Sequence, residues 1–336
     1  MLWSAAMPEL RRDPIVGRWV VLAPERADRP NALLRAPLPP SLQDPLSCPF
    51  CPGNEAMTPP EISRRSAGQL SWTLRVVPNR YPALRVETQL SRKATGLFDG
   101  MAGVGAHEVV IETQDHLRSM AQLSPAELAA VLETWQERME DLSRDHRLRA
   151  IIAFKNSGAA AGATLSHAHS QLIALPVIPP ELEAELTGAR DHFGRKERCV
   201  FCDVLAQEVA SRERIVLESE GAVAFAPWAS RSPFETWILP RAHRSSFEAC
   251  TRKDLEAVAG TLSVLLRKMD LALERPAFNL FLHTMPLREP RNDWYHWHLE
   301  LKPTLTQQAG FEWASGCFIN PTPPEEAAAF LRQTEV

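Results

Sequence analysis

Residues 166–171 read Ser-His-Ala-His-Ser-Gln, and the apolar run LIALP follows at once. The whole chain has only ten histidines, yet two stand one residue apart here, with a glutamine two residues on. The stretch HAHSQLIALP predicts a strand over 167–176. Side chains alternate faces along a strand, so His167, His169 and Gln171 share one face. Two imidazoles and an amide in a row make a poor core face and a good site.

A metal accounts for one imidazole. Zinc takes thiolate and imidazole in tetrahedral sets, Cys2His2 among them. The pair Cys48 and Cys51 (CPFC) supplies two ligands, and His116 and His167 are candidates for the others. A metal on His167 pins the chain that carries His169 and leaves His169 for chemistry. The backbone carbonyl between the two is a natural acceptor for the second ring nitrogen of His169, which fixes its tautomer. A histidine so held serves as a nucleophile or a general base.

Six cysteines include a second Cys-x-x-Cys pair, Cys199 and Cys202 (CVFC). In a reducing compartment two such pairs read as metal sites rather than as a disulfide framework. His243 and His296 complete the second set by the same logic. The donor sets favour zinc at both sites, with iron an alternative at the second. The net charge of −4 over 336 residues excludes a global attraction to nucleic acid or to anionic membranes. No run of 18 apolar residues offers a membrane span. The first residues, MLWSAAMPELRR, lack the pattern of a secretory signal, so a cytoplasmic location is expected, with Met7 an alternative start to Met1.

Along the chain, 13–23 predicts a hairpin or edge strand and 30–47 a Pro-rich irregular arm. Strands are expected at 74–79, 107–113, 149–157 and 167–176. A helix is expected over 124–142, where Ser124, Pro125 and Glu127 form a capping signal. The second half predicts strands at 222–227, 234–243, 278–284 and 296–303, a helix over 252–273, and a short terminal helix in PPEEAAAFLRQ. The halves repeat. HEVVIETQDH (107–116) matches FETWILPRAH (234–243), HAHSQLIALP matches HWHLELKPTL, and CPFC matches CVFC. A repeat on this scale means a duplicated domain, with a boundary near 180: an N-terminal unit over 1–180 and a C-terminal unit over 181–336. The second copy has Glu300 where the first has Gln171, and it lacks the small-residue loop NSGAAAGATLS. It reads as structurally equivalent and catalytically silent. That loop, with Gly162 and Ser166, suits a phosphorylated or nucleotide substrate. Arg26 and Arg29 are candidate phosphate partners.

The order RRDPIVGRWVVLAPERADRP, CPFC, VVPNRYPAL, HEVVIET, FKNSGAAAGATLSHAHSQ, LPRAH and GFE resembles the galactose-1-phosphate uridylyltransferase family of the histidine-triad superfamily. The resemblance runs from about residue 9 to 332. It implies an α+β fold of two tandem histidine-triad-like domains, antiparallel sheets with packed helices, and a homodimer. It implies nucleotide-sugar and sugar-phosphate substrates, a ping-pong reaction and a covalent uridylyl-histidine. By resemblance His169 is the nucleophile and Gln171 binds the transferring phosphoryl group. Asn79 and Asn156 look like nucleotide contacts, and Glu312 resembles a sugar-hydroxyl ligand. Three departures stand out: His-Ala-His-Ser at the nucleophile, cysteines at the second metal site, and WASGCFIN after GFE. All three are similar to a branch that includes ADP-glucose phosphorylase, and also to many bacterial uridylyltransferases. Uridylyl exchange between UDP-glucose and galactose 1-phosphate is the leading expectation, with adenylyl transfer from ADP-glucose to phosphate next. A zinc-stabilised binding protein without catalysis and a hydrolase are the further alternatives.

Overall fold

The computed structural model describes residues 8–28, 44–66, 71–290 and 292–336. Arg29, Met1, Met7 and most of the predicted irregular arm lie outside the described residues. The chain opens on a hairpin, β1 (Glu9–Arg12) and β2 (Trp19–Leu22), and passes through the Cys48 segment to β3 (Ser63–Ser66) and β4 (Trp72–Pro78). A small ribbon of β5 (Arg92–Thr95) and β6 (Phe98–Met101) precedes β7 (Ala106–Ile111), α1 (Pro125–Leu142), β8 (Ala150–Ser157) and β9 (His169–Leu175). Two helices, α2 (Pro180–Lys196) and α3 (Val200–Ser211), lead to β10 (Ile215–Glu218), β11 (Ala222–Phe225) and β12 (Thr236–Pro240). Then come α4 (Arg252–Ala272), β13 (Phe278–His283), β14 (His298–Pro303), α5 (Gly310–Ser315), β15 (Phe318–Asn320) and α6 (Pro324–Gln333).

Helix α1 starts where the capping signal places it. The Ser124 hydroxyl accepts from the Glu127 N–H, and the Glu127 carboxylate accepts from the Ser124 N–H at 2.8 Å. Its buried Leu128, Leu132, Trp135, Met139 and Leu142 recur every three to four residues, the spacing of one helix face. Helix α4 repeats the device with Thr251 and Asp254, and the two helices pack against each other.

Among the described residues ten strands form one antiparallel sheet in the order β10-β11-β12-β14-β13-β8-β9-β7-β4-β3. Read outward from the middle, each half has the same arrangement. β13 answers to β8, β14 to β9, β12 to β7, β11 to β4 and β10 to β3. The sequence repeat is therefore a pseudo-twofold, and the halves fuse edge to edge through the β13–β8 pairing. Fusion gives each half a partner for an edge that would otherwise present unpaired backbone groups.

Strand alternation sorts the two faces of this sheet. Leu172 and Ala174 of β9, Val110 of β7, and Ala222 and Ala224 of β11 join the core beneath α1 and α4. Val109 and Ile111 face the other way, with the Cys48 segment over them. Val223 and Phe225 also face that way, covered by α2 and α3. Both Cys-x-x-Cys segments thus lie on the face opposite α1 and α4. The sequence reading differs from the structure in several places, and the strands expected at 234–243 and 296–303 start two residues later, at Thr236 and His298. Helix α2 ahead of CVFC, and α3 and strand β10 between CVFC and β11, stand where no element was expected. Strand β9 begins at His169, so His167 precedes the ladder instead of sharing it. The hairpin covers 9–22 instead of 13–23.

Trp135 is fully buried, and its Nε1–H donates to Ser170 Oγ at 2.9 Å, which ties α1 to the core face of β9. Trp135→Ala should cost about 3–5 kcal/mol. A denaturant melt that shifts by under 1 kcal/mol would show that α1 does not brace β9.

Candidate active site and metal centres

β9 lies between β7 and β8, with Ile111 opposite His169 and Val109 opposite Gln171. His169 and Gln171 therefore point to the face away from α1, into a cavity of about 290 Å3. Phe50, Asn79, Tyr81, Val109, Thr164 and Leu165 share its wall. The ring of Phe50 meets that of His169 edge-on at 5.3 Å.

His169 is held from two sides. Its Nδ1–H donates to the carbonyl of His167 at 2.8 Å, which leaves Nε2 with the lone pair. Its own carbonyl accepts from Lys155 Nζ at 2.8 Å, and Lys155 also donates to Glu112 Oε2 at 2.7 Å. The Lys155–Glu112 pair is almost fully buried and joins β7, β8 and β9 behind the histidine. Burial, with the Lys155 charge adding to it, pushes His169 down to about 4. At neutral pH its imidazole is uncharged.

Gln171 is held in turn. Its Oε1 lies 2.7 Å from His107 Nε2 and 3.3 Å from Asn79 Nδ2. Asn156 pairs across the β8–β13 seam, where Asn279 Nδ2 donates to Asn156 Oδ1 and to the carbonyl of Ala161, both at 2.9 Å. The second half of the chain thus props the small-residue loop of the first. Gly158 and Gly162 in that loop have φ of +82° and +88°, and a Cβ on Gly158 would come within 2.8 Å of Ala277. A Cβ on Gly162 would stand 3.6 Å from Asn156 Nδ2. The N–H groups of Ala161, Gly162 and Ala163 are used inside the turn, so those three do not form a phosphate cradle as the loop stands.

Cys48, Cys51, His116 and His167 converge, with ligand atoms all within 4.8 Å of one another. The sulfur–nitrogen separations are 3.2 Å for Cys51–His116, 3.6 Å for Cys51–His167 and 3.7 Å for Cys48–His167. Tetrahedral zinc, with bonds of ~2.0–2.3 Å, sets such edges at about 3.5 Å, so the donor set fits the ion. His167 donates Nε2–H to the carbonyl of Thr113 at 2.8 Å and turns Nδ1 toward the sulfurs, the tautomer a metal needs. Without a cation, burial and the neighbouring Cys48 push the Cys51 thiol up to about 12. A dication would supply the charge that makes it a ligand. Ser166 Oγ sits 3.5 Å from His116 Nε2, beside the metal set and not on the cavity wall. Cys199, Cys202, His243 and His296 form the matching group, with Cys202 Sγ at 3.2 and 3.5 Å from the two imidazoles. The hydrogen bond between its two thiols drives Cys202 down to about 3 and Cys199 up.

Arg26 is exposed on a 3-10 turn after β2, and Glu312 caps its own helix α5 through the Ala309 N–H. Both flank the separate sheet β1-β2-β15, and neither lines the cavity at His169. His107, Lys155, Glu112 and Phe50 are partners that the sequence reading missed. Lys155 did leave a trace, as a charge inside the apolar strand AIIAFKNS.

The second half repeats the frame with a different filling. His298 matches His169, and its Nδ1 faces the carbonyl of His296 at 3.2 Å. His283 stacks on it at 4.9 Å, Trp237 lies against it at 4.9 Å, and Phe201 stands where Phe50 does in the first half. Glu185, His283, His298 and Glu300 cluster here, joined by Arg231, which pairs with Glu235 and Glu300. His283 Nδ1 meets Glu185 Oε1 at 2.9 Å. Burial opposes the charge on His283, but the Glu185 and Glu300 carboxylates hold it up at about 9.

Fold and site together define a histidine-triad-like protein: two matched half-sheets, each with a His-x-His segment tied to a Cys-x-x-Cys pair. The models of the galactose-1-phosphate uridyl transferase N-terminal and C-terminal domains match residues 3–179 and 185–311, and the chain belongs to that nucleotidyltransferase family. It is 37% identical to the ADP-glucose phosphorylase of Arabidopsis thaliana over 98% of this chain and 93% of that protein. It is 30% identical to the galactose-1-phosphate uridylyltransferase of Thermotoga maritima over 98% and 99%. The crystal structure of the Arabidopsis thaliana ADP-glucose phosphorylase with bound ADP-glucose superposes with a TM-score of 0.85 at 34% identity, over 98% of this chain and 99% of that one. A uridylyltransferase structure gives 0.77 at 26% identity, over 98% of each. Among the described residues no helix is long and apolar enough to cross a membrane.

Two predictions follow from the buried polar groups. Chelation under reducing conditions should lower the melting temperature and expose Cys48 and Cys51 to a thiol reagent. An unchanged melt after metal analysis shows full depletion would remove the structural role. His283 has a folded pKa above its unfolded value of about 6.5. Its stabilisation should be complete below that value and disappear as pH rises through about 9. Unfolding free energies from pH 6 to 10 should fall for wild type and lose that component in His283→Gln. Equal slopes would contradict the charged imidazole.

Proposed function

We propose that the chain transfers a nucleotidyl group from a nucleotide sugar through a covalent nucleotidyl-His169 intermediate. One observation carries the reading: a neutral histidine faces the cavity, its Nδ1 bound to a backbone carbonyl and its Nε2 left for attack. Nε2 attacks the α-phosphorus, an N–P bond forms, and the bond from phosphorus to the sugar-phosphate oxygen breaks. Sugar 1-phosphate leaves with the electron pair. The Nδ1–H stays on the His167 carbonyl, which steadies the positive charge of the substituted ring. Gln171 binds the transferring phosphoryl group, and Asn79 with the Thr164 and Leu165 end of the loop binds the nucleotide. An acceptor oxygen then attacks phosphorus and releases His169. The cysteine–histidine sets would hold zinc, which would supply structural rigidity under the nucleophile.

Two donor–acceptor pairs suit this chemistry. The similarity to ADP-glucose phosphorylase favours ADP-glucose with phosphate as acceptor. UMP exchange between UDP-glucose and galactose 1-phosphate is the second reading, supported by the family match and by the Thermotoga maritima relative.

Intact-mass measurement after incubation with ADP-glucose or UDP-glucose, without acceptor, tests the proposal. An AMP adduct on wild type and none on His169→Ala is expected. A UMP adduct alone would move the donor to UDP-glucose. No adduct from either, with metal bound, would overturn the nucleophile and leave a binding protein. Because His169 is neutral down to about pH 4, adduct formation should change little between pH 8 and pH 5.

A further inference from the structure

The amide of Gln171 has two ends, and only one of them donates hydrogen bonds. Which end faces the cavity is decided by a chain of contacts that begins at two backbone N–H groups. Ala83 N–H lies 3.1 Å from His107 Nδ1. A backbone N–H only donates, so Nδ1 must be the unprotonated nitrogen and Nε2 must carry the hydrogen. His107 Nε2–H then donates to Gln171 at 2.7 Å, and the atom it meets has to be the carbonyl oxygen. Tyr81 N–H lies 2.8 Å from Asn79 Oδ1, which fixes Asn79 in the same way. The Asn79 amide nitrogen is therefore a donor; it stands 3.2 Å from His107 Nε2, where two N–H groups meet and form no bond, and its acceptor is the same Gln171 oxygen at 3.3 Å. Two donors hold Gln171 Oε1 on the wall. That leaves the NH2 end for the cavity that Gln171 and His169 line together.

Strand geometry makes the contact possible. His107 and Val109 stand on the same face of β7, and Gln171 is opposite Val109 on β9, so His107 is its diagonal neighbour. The Asn79 N–H also donates to the His107 carbonyl at 2.8 Å, so the 79–83 segment grips β7 at the point from which His107 projects.

We propose that His107 is a positioning residue for nucleotidyl transfer: it sets the Gln171 amide with its NH2 end toward the transferring phosphoryl oxygen. The inference rests on the nucleotidyl-His169 reading. A flipped amide would present a carbonyl oxygen to an anionic phosphoryl group. The orientation therefore decides whether Gln171 attracts or repels developing charge.

The test is single-turnover formation of nucleotidyl-His169 from ADP-glucose and from UDP-glucose, followed by rapid quench over a range of donor concentrations. His107→Phe should lower the maximum rate about tenfold to a hundredfold, with a much smaller change in donor affinity. His107→Gln, which keeps a donor near Nε2, should recover most of that loss. In a Gln171→Ala background His107→Phe should change the rate by less than about threefold, because two residues acting as a unit are not additive. A rate for His107→Phe within threefold of wild type would overturn the proposal, and so would a full additional loss in the Gln171→Ala background. If His107→Phe does not fold, nitrogen-15 spectra of wild type decide. An Nε2–H tautomer for His107 is expected, and an Nδ1–H tautomer would overturn the proposal. If wild type forms no adduct, the nucleotidyl-His169 reading fails first, which is a different result from a wild type that reacts and a His107→Phe that reacts as fast.

Discussion

A hydrogen bond of 2.8 Å between His169 Nδ1 and the carbonyl two residues upstream sets the terms for the rest of the site. It works only if that carbonyl does not move. His167, which owns it, is held at both ring nitrogens, by Thr113 on one side and by the cysteine sulfurs on the other. The carbonyl of His169 is held by Lys155, which Glu112 neutralises. A buried ion pair of this kind is weak evidence for stability, since desolvation offsets much of the attraction. Its value here is positional. It locks three strands in register behind one imidazole, which burial first and the Lys155 charge second keep uncharged.

The same frame built twice shows how little separates a cavity from a plug. His298 has its neighbour's carbonyl, its Cys-x-x-Cys segment and its phenylalanine, as His169 does. What differs is the space in front. Trp237 stands where the first half has Val109, and His283 and Arg231 bring in rings and charge. Glu300 stands where Gln171 does, and its carboxylate is committed to Arg231. The second half has become an ion-paired wall, and through Asn279 it braces the loop of the first half.

Much of this was legible along the chain. The capping signal at Ser124 placed α1 to within a residue, because a cap is a local contest between one hydroxyl and one N–H. The repeat of His-x-His and Cys-x-x-Cys foretold two matching cysteine–histidine donor sets, and the side chains of both converge. The misses have a common cause. Helices α2 and α3 carry charged residues among small apolar ones, and their apolar stripes become plain only against the sheet they cover. The expected strand 167–176 starts two residues early and ends one late against β9, because the turn of His167 toward the cysteine sulfurs does not appear in strand propensity. His107 passed unnoticed, since its role depends on a register between β7 and β9 that no local pattern states.

The sequence by itself determined the parts and their pairing: a histidine with a carbonyl within reach of its ring, cysteine pairs at ligand spacing, and a duplication that brings each piece twice. These are consequences of spacing along a strand or a turn, which bonded geometry sets. The chain also marked the second copy as silent, by Glu300 in place of Gln171 and by the missing small-residue loop; only the tertiary structure decided how that copy is closed. That outcome turns on Trp237, His283 and Arg231 filling one face of the sheet while the matching face beside His169 keeps its cavity. It is a matter of packing between segments far apart in the chain, and packing has no signature until the sheet has closed.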